Sequence, residues 1–293
     1  MLINGTTKVF GIIGYPIIHT LSPAMHNRAF EMLGYNGVYI PFEVEPSRLK
    51  YAISGMKSMG IRGLNVTIPH KETVLDYLDE IDPLARSIKA VNTIVNEEGI
   101  LTGYNTDGIG FLKSLDVAGV SLDKKKVMLL GSGGAARAIA TCSLKNRDIE
   151  ELSVVGRNTE NIISLTSDLE QIFDPDRIFS YQFGTKELLD SLTEIDVVIN
   201  CTPLGLSPKV NQSPLSPEEV NLLPPHAVIA DTIYNPSMTQ LMKYANNRGL
   251  TVVGGLGMLL YQGMASFELW TGMKPPEAEM HQVLIAEMNK KII

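Results

Sequence analysis

The sequence predicts an α/β protein with two domains, each built on a largely parallel sheet. The chain has 293 residues, more than one hydrophobic core usually serves. Short β-branched runs alternate with longer helical patterns along most of its length. A polar joint, V-S-L-D-K-K-K over residues 120–126, separates this alternation into two series. We therefore expect two α/β domains.

The first series predicts a mostly parallel sheet that contains one hairpin. Strands are expected over 8–13, 38–42, 63–66, 93–97 and 100–104, with a helix over 23–33. Apolar residues from Leu49 to Met56 recur with the i, i+3, i+4, i+7 spacing of one helical face, which predicts a second helix. Glu98 and Gly99 are typical of a two-residue turn between the last two strands.

The second series predicts a doubly wound parallel sheet. Five strands are expected over 127–130, 152–155, 197–200, 228–231 and 251–253, with helices centred near residues 139, 163, 189 and 242. Such a sheet binds its ligands outside the carboxyl ends of its strands. A helix over 107–118 precedes this series, and two helices over 258–270 and 276–290 follow it.

These patterns give domain boundaries at 1–106, 107–256 and 257–293, with the last segment packing back on the first domain. The chain would then cross between domains at Asp107 and again at Gly257, and we expect a cleft between the two domains. Ligand sites often lie in such clefts.

Composition and charge exclude several classes of function. The net charge of -7 argues against nucleic acid or an anionic membrane as a partner. No apolar run approaches the ~18 residues of a membrane span, and the first ten residues lack the features of a signal peptide. Cys142 and Cys201 are far apart, and the five histidines lack metal-ligand spacing. We expect a cytoplasmic protein without a metal site.

A glycine-rich turn follows the first strand of the second series. In V-M-L-L-G-S-G-G-A-A-R-A, over 127–138, Gly131 permits a tight turn and Gly133 lets the backbone approach a pyrophosphate. Ala136 occupies the third position of G-x-G-x-x-G/A. Placed between a strand and a helix, the pattern predicts a dinucleotide-binding Rossmann domain. The residues expected at the pyrophosphate are Gly131, Ser132, Gly133, Gly134 and Ala135.

The end of the next strand indicates which dinucleotide binds. An NAD site usually carries Asp or Glu there, to bind the ribose 2′-hydroxyl. Here the tip reads Arg157-Asn158-Thr159, which suits a 2′-phosphate better than a bare hydroxyl. Glu160 lies close to this tip, and Arg157 is the only basic residue within the tip. The sequence therefore favours NADP and leaves NAD open.

Six short motifs, in order and at compatible spacing, cover nearly the whole chain. They are H-T-L-S-P-A-M-H-N (19–27), N-V-T-I-P-H-K (65–71), A-V-N-T (90–93), G-Y-N-T-D-G (103–108), L-L-G-S-G-G-A-A-R-A (129–138) and Y-Q-G with L-W-T-G (261–263, 269–272). Together they resemble the shikimate dehydrogenases. The resemblance implies a substrate domain, a Rossmann domain and C-terminal helices that return to the first domain.

The resemblance also implies reversible hydride transfer between NADP(H) and the shikimate/3-dehydroshikimate pair. Reduction of a ring ketone needs a proton source beside the developing alkoxide. The resemblance gives this role to Lys71 and Asp107, and it leaves open whether Lys71 transfers the proton or only stabilises charge. The residues implied at the substrate are Thr20, Ser22, Thr67, Asn92, Asp107, Tyr234 and Gln262. Those implied at the nicotinamide are Thr202, Gly255 and Met258, and Ile233 is also implied to bind the cofactor.

Each of these residues also has a simpler interpretation. Ser22 could cap the helix that opens at Pro23, and Asp107 could serve only as a helix N-terminal aspartate. Lys71 alone would be an ordinary surface charge, and His70 is expected to be a bystander. Only the joint pattern favours the catalytic interpretation.

Two departures from the family pattern keep alternatives open. Thr20 stands where serine is commoner, and this leaves quinate, which carries one more hydroxyl than shikimate, as an alternative substrate. Gly156-Arg157-Asn158 stands where N-R-T is commoner, so a dual-specificity or NAD-using quinate enzyme is the nearest alternative. A non-catalytic ligand-binding protein on the same scaffold is a third hypothesis. A monomer and a homodimer are both compatible with the sequence.

Overall fold

The computed structural model describes residues 3–290, which divide into two compact units. One unit contains the described residues up to Gly110 and those from Leu260 onward, and the other spans Phe111–Leu259. The chain passes between the units twice, each time inside a helix, because both junctions lie within helical segments.

The strands and helices are numbered here in chain order. The strands are β1 Lys8–Gly14, β2 Gly37–Glu43, β3 Gly63–Val66, β4 Glu80–Ile81, β5 Thr93–Glu97, β6 Ile100–Tyr104, β7 Lys126–Leu130, β8 Glu151–Gly156, β9 Ile178–Gln182, β10 Val197–Asn200, β11 Val228–Asp231 and β12 Thr251–Val253. The α-helices are α1 Ser22–Met32, α2 Leu49–Ser58, α3 Pro83–Ile88, α4 Asp107–Val117, α5 Gly134–Asn146, α6 Thr159–Glu170, α7 Lys186–Leu192, α8 Pro217–Val220, α9 Gln240–Asn247, α10 Leu256–Thr271 and α11 Glu277–Lys290.

The sheet of the first unit has the order β2-β1-β3-β5-β6-β4. Strand β5 is antiparallel to both of its neighbours, whereas β1, β2 and β3 run parallel. Glu98 and Gly99, with φ of 51° and 91°, form the predicted hairpin turn between β5 and β6. Because β5 is reversed, its first residue lies at the same edge of the sheet as the last residues of β3 and β6.

The sheet of the second unit is parallel throughout and has the order β12-β11-β10-β7-β8-β9. This is the doubly wound order. The direction in which successive strands are added to the sheet reverses between β7 and β10. Strand β7 is buried from Val127 to Leu130, with helices on the sheet's faces. The point of reversal is where ligands of such sheets bind, at the carboxyl ends of β7 and β10.

The sequence expectation of an α/β protein with two sheets is confirmed, and each expected strand forms. The expectation of five strands in the second sheet is wrong, because β9 adds a sixth at the edge. Strand β9 is largely exposed and follows a turn at Pro175–Arg177, so its apolar pattern is weak. Short elements were also missed: β4, α3 and α8. Two to six residues carry too little periodicity to be recognised.

One fully buried histidine lies in the core of the first unit. The ring of His26 stacks on Tyr39 with 4.4 Å between ring centroids, and it also packs against Phe267 and Trp270. Neither ring nitrogen has a hydrogen-bond partner within residues 3–290. Burial lowers the pKa of His26 from 6.5 to about 3, so the imidazole is neutral in the folded protein.

Between residues 3 and 290, no helix combines the length and the apolar character that crossing a membrane requires.

The buried imidazole predicts a specific loss of stability in acid. Below pH 6.5 the unfolded chain binds a proton at His26 that the folded protein excludes, so the stability present above pH 6.5 is lost as the pH falls toward 3. Between pH 7.5 and pH 5 this residue should remove about 2 kcal/mol from the free energy of unfolding. Urea unfolding followed by fluorescence of Trp270, the chain's single tryptophan, measures this loss in the first unit.

The variant His26→Phe keeps an aromatic ring in the stack and cannot titrate, so its unfolding free energy should fall less between the two pH values. His281→Gln, which changes an exposed histidine on α11, is the matched control and should follow the wild type. Equal pH dependence in the wild type and His26→Phe would contradict the assignment.

Candidate active site

Three of the sequence motifs meet at one edge of the sheet in the first unit. Strand pairing aligns Asn65 with Thr93 and Thr93 with Tyr104. The segment after β3, the residues before β5 and the residues after β6 therefore emerge together. This register brings N-V-T-I-P-H-K, A-V-N-T and G-Y-N-T-D-G into one polar cluster, although they are separated along the chain.

A lysine and an aspartate form the centre of the cluster. The Nζ of Lys71 donates to Oδ2 of Asp107 over 2.6 Å. The lysine side chain is 20% exposed and the aspartate side chain 6%, so solvent reaches the amine more than the carboxylate. Asp107 is the first residue of α4, where the positive end of the helix dipole favours a carboxylate. The pair is a charge-assisted hydrogen bond held away from bulk water.

The backbone on both sides of Lys71 is fixed. Its carbonyl oxygen accepts from the amide of Val91 over 2.8 Å, and the preceding His70 donates through Nε2 to the carbonyl of Val44 over 2.7 Å. His70 is buried and makes this structural contact. These two hydrogen bonds hold the backbone segment that carries the Lys71 amine.

Asn92 holds the carboxylate from the other side. Its Nδ2 donates to Oδ1 of Asp107 over 2.8 Å, and its Oδ1 accepts from the amide of Thr106 over 2.9 Å. The same Nδ2 lies 3.4 Å from Oε1 of Gln262. The two oxygens of Asp107 thus have different partners, the lysine on one and the asparagine on the other. Lys71, Asp107, Asn92 and Gln262 are directly linked.

Gln262 reaches this cluster because two helices approach closely. A side chain at Gly110 on α4 would lie 2.5 Å from the backbone nitrogen of Gln262 on α10. Glycine at position 110 therefore permits the contact between these helices within the first unit. Gln262 lies in the same compact unit as Lys71, whereas Tyr234 lies in the second unit.

Four further polar residues support the cluster, and sequence reasoning did not single them out. They are Asn65, Thr93, Thr106 and Ser266, all buried. Ser266 Oγ lies 2.7 Å from Thr93 Oγ1 and accepts from Nδ2 of Asn65 over 3.1 Å. Three of the four lie inside the quoted motifs, which was the available signal. Ser266 lies one helical turn after Gln262, and no motif marked it.

The hydrogen-bond network extends from Asn65 to the start of α1. Tyr39 donates its hydroxyl to Oδ1 of Asn65 over 2.7 Å, and Ser22 lies near that hydroxyl. Burial raises the pKa of Tyr39, and the nearby Ser22 side chain opposes that shift in part. The helix-cap interpretation of Ser22 is wrong, because α1 begins at Ser22 and has no side-chain cap. The Ser22 amide donates to Thr20 Oγ1 over 3.3 Å.

Thr67 lies directly after β3, next to the end of β1. Its amide donates to the carbonyl of Ile13 over 3.0 Å, and a Cβ added at Gly14 would lie 2.5 Å from its methyl group. The carbonyl of Thr67 accepts from His70, which closes the turn that leads to Lys71. Thr67 is therefore at the same end of the sheet as the lysine, and among the described residues its side chain makes no hydrogen bond to Lys71.

The glycine-rich turn of the second unit has the shape of an anion site. Gly131 has φ of +116° and packs against the carbonyl of Cys201, 3.0 Å from where its Cβ would be. A Cβ at Gly133 would meet nothing within 4 Å. Helix α5 begins after Gly133 with no side-chain cap and no acidic residue in its first turn. Its amides and the open space suit a dinucleotide pyrophosphate.

Two of the three polar residues after β8, at positions 157–159, already make hydrogen bonds within the protein. Asn158 caps α6 by accepting from the amide of Asn161 over 3.1 Å, and Thr159 Oγ1 accepts from Gln182 Nε2. Arg157 is exposed, and no other residue within 3–290 hydrogen-bonds or pairs with its guanidinium. Of the three predicted residues, Arg157 is the one that a bound phosphate could recruit without losing an existing contact.

The remaining predicted residues lie at the carboxyl ends of β10, β11 and β12 in the second unit. Thr202 follows β10, Ile233 and Tyr234 follow β11, and Gly255 follows β12. Burial raises the pKa of the Tyr234 hydroxyl, so this group is protonated at neutral pH. Met258 is buried within α10 of the same unit. These residues belong to a different unit from Lys71 and Asp107.

No group of three or more His, Cys, Asp or Glu side chains between residues 3 and 290 has a geometry suited to a metal ion.

Known proteins resemble this chain over almost its full length. Residues 12–94 match the shikimate dehydrogenase substrate binding domain, and residues 255–285 match the shikimate 5′-dehydrogenase C-terminal domain. A protein from Symbiobacterium thermophilum named shikimate dehydrogenase (NADP(+)) is 43% identical over 286 residues, which cover 98% of this chain and 96% of that protein.

Solved structures agree with the sequence comparison. A shikimate dehydrogenase in complex with NADP+ is 40% identical with a TM-score of 0.89, and 98% of each chain is covered. The shikimate 5-dehydrogenase from Listeria monocytogenes, in complex with shikimate and NAD, is 34% identical with a TM-score of 0.88, covering 96% of this chain and 98% of that one. The chain belongs to the shikimate dehydrogenase family.

Proposed function

We propose that this protein is an NADP-dependent shikimate dehydrogenase, which reduces 3-dehydroshikimate to shikimate reversibly. The observation that carries the proposal is the pairing of Lys71 with Asp107 at the polar sheet edge, in a chain whose relatives are named for this reaction. In this proposal the first unit binds the substrate and the second binds the dinucleotide.

The proposed chemistry assigns one task to each group. NADPH supplies the hydride to the ring carbonyl carbon when it is bound. The ammonium of Lys71 donates a hydrogen bond to the carbonyl oxygen and stabilises the alkoxide that develops there. Asp107 orients the amine and the substrate hydroxyl, and Asn92 holds Asp107. In the direction of reduction the alkoxide gains a proton, either from Lys71 or from water beside it.

The proposed substrate contacts use the polar residues around this centre. Ser22 and Thr20 would bind the carboxylate, and Thr67, Asn92, Gln262 and Tyr234 the hydroxyls. A ligand with one carboxylate and three hydroxyls needs such a lining, because an unpaired buried polar group costs ~1–3 kcal/mol. Quinate, with an extra ring hydroxyl, is the alternative that the Thr20 methyl group leaves to experiment.

For the dinucleotide, the proposal uses two parts of the second unit. The pyrophosphate would bind at residues 131–135 and the 2′-phosphate at Arg157, with Asn158 and Thr159 beside it. The nicotinamide would contact Thr202, Ile233, Gly255 and Met258. We also propose a cytoplasmic location and a monomer or homodimer, as the sequence analysis predicted.

Removing the amine tests the catalytic assignment. Lys71→Ala should lower kcat by ~10²–10⁴-fold, with a much smaller change in KM for shikimate, because a group that acts mainly in the transition state is lost. Initial rates at 340 nm with shikimate and NADP measure both constants. Lys50→Ala, which changes an exposed lysine on α2, is the matched control and should retain wild-type rates. Near wild-type turnover in Lys71→Ala would refute the role.

Arg157 sets the expected preference for NADP. Arg157→Ala should lower kcat/KM for NADP by ~10–100-fold and leave kcat/KM for NAD nearly unchanged, because a charge-assisted hydrogen bond to phosphate contributes ~1.5–3 kcal/mol. Assays that cross NAD and NADP with shikimate and quinate measure this and the substrate preference together. Arg177→Ala, another arginine of the second unit, is the control. An equal loss with both dinucleotides would contradict a phosphate contact.

A further inference from the structure

A buried carboxylate that the reaction chemistry does not use lies at the carboxyl end of β11. Asp231 is 1% exposed and accepts from the Ile233 amide over 2.9 Å and from Thr239 Oγ1 over 2.7 Å. Nδ2 of Asn200 lies 3.2 and 3.1 Å from its two oxygens. No cation pairs with it among the described residues. Burial raises the pKa of Asp231, and only neutral hydrogen-bond donors oppose that shift.

Asn200, at the end of the neighbouring strand β10, divides its amide between two loops. Its Oδ1 accepts from the amide of Thr202 over 2.9 Å and from Thr202 Oγ1 over 2.8 Å. Its Nδ2 also donates to the carbonyl of Leu204 over 3.2 Å. The asparagine therefore fixes the loop after β10, while its bond to Asp231 fixes the position of the asparagine.

The loop after β11 is held to both neighbouring strand ends. Thr232 Oγ1 donates to the carbonyl of Asn200 over 2.9 Å, and the amide of Gly255 donates to the carbonyl of Ile233 over 3.1 Å. A Cβ at Gly255 would lie 2.4 Å from the carbonyl oxygen of Thr232. The Asn200–Asp231 pair thus connects the loops after β10 and β11, and a backbone hydrogen bond joins the loop after β11 to Gly255 after β12.

We infer that Asp231 and Asn200 are positioning residues that hold Thr202, Ile233 and Gly255 in place for the nicotinamide half of the dinucleotide. This inference rests on the proposed function, since it assumes the nicotinamide contacts given above. All of these residues belong to the second unit. The adenosine half would bind beside β8, at residues that this pair does not touch.

Asp231→Asn tests the inference with a minimal change in shape. Asparagine has one oxygen and one NH2 group where Asp231 has two accepting oxygens, so at least one of the hydrogen bonds that Asp231 accepts from Asn200, Ile233 and Thr239 would be lost. The loops should shift, and a displacement of about 1 Å can cost ~10²-fold in rate. We expect the single-turnover rate of hydride transfer to fall ~10–100-fold and the Kd of NADPH to rise.

Binding of adenosine 2′,5′-bisphosphate distinguishes positioning from general damage. This probe occupies only the adenosine half, so its Kd should stay within about twofold of the wild-type value in Asp231→Asn. The exchange variant Asn200→Asp/Asp231→Asn restores a carboxylate–amide bond and should recover part of the hydride-transfer rate. If Asp231→Asn does not fold, Asn200→Ala provides the same comparison, because it frees the loop after β10.

The matched control is Asp196→Asn, which lies at the amino ends of the strands of the same sheet, whereas Asp231 lies at their carboxyl ends. Asp196 accepts from the Lys126 amide over 2.9 Å, as Asp231 accepts from an amide, but it lies before β10 instead of after β11. Asp196→Asn should leave the hydride-transfer rate and the Kd values of NADPH and adenosine 2′,5′-bisphosphate unchanged. The inference fails if Asp231→Asn weakens the binding of these two ligands equally or if it leaves the hydride-transfer rate intact. Wild-type turnover, measured alongside, tests the proposed function separately.

Discussion

The contacts made by the Asp107 carboxylate are the constraint on which the first unit's polar cluster depends. One oxygen accepts from Lys71 and the other from Asn92, at the amino end of α4. The carboxylate is nearly buried, whereas the amine keeps some exposure. A charge in such a place is stable only while its donors remain, so the carboxylate depends on both the lysine and the asparagine.

The sheet topology explains why these side chains meet. Reversal of β5 brings Asn92 to the edge where β3 and β6 end, and Gly110 lets α10 approach closely enough for Gln262 to join. The second unit uses a related device, since the reversal of strand order beside β7 leaves the glycine-rich turn open. In both units the site lies where several strands end together, and a few buried polar residues hold the segments that follow those strand ends.

Much of this could be predicted from the sequence, because the alternating patterns and the six motifs are strong signals. The motifs singled out Lys71 and Asp107, and each expected strand forms. What could not be predicted depends on packing between distant segments. Ser266 joins the cluster only because α10 lies against β5, and the edge strand β9 has little apolar pattern. The cap considered at Ser22 does not form because α1 begins at Ser22 itself, one residue earlier than the sequence pattern indicates.

The central claim is that Lys71 and Asp107 act as one unit, and a double-mutant cycle tests it most directly. The kcat for shikimate oxidation would be measured for Lys71→Ala, Asp107→Ala and the double variant, with circular dichroism to verify folding. If the pair is one unit, the double variant should be no more than about threefold slower than the slower single variant, since each single change already disables the pair. Losses that multiply in the double variant would show that the two residues act independently and would contradict the account.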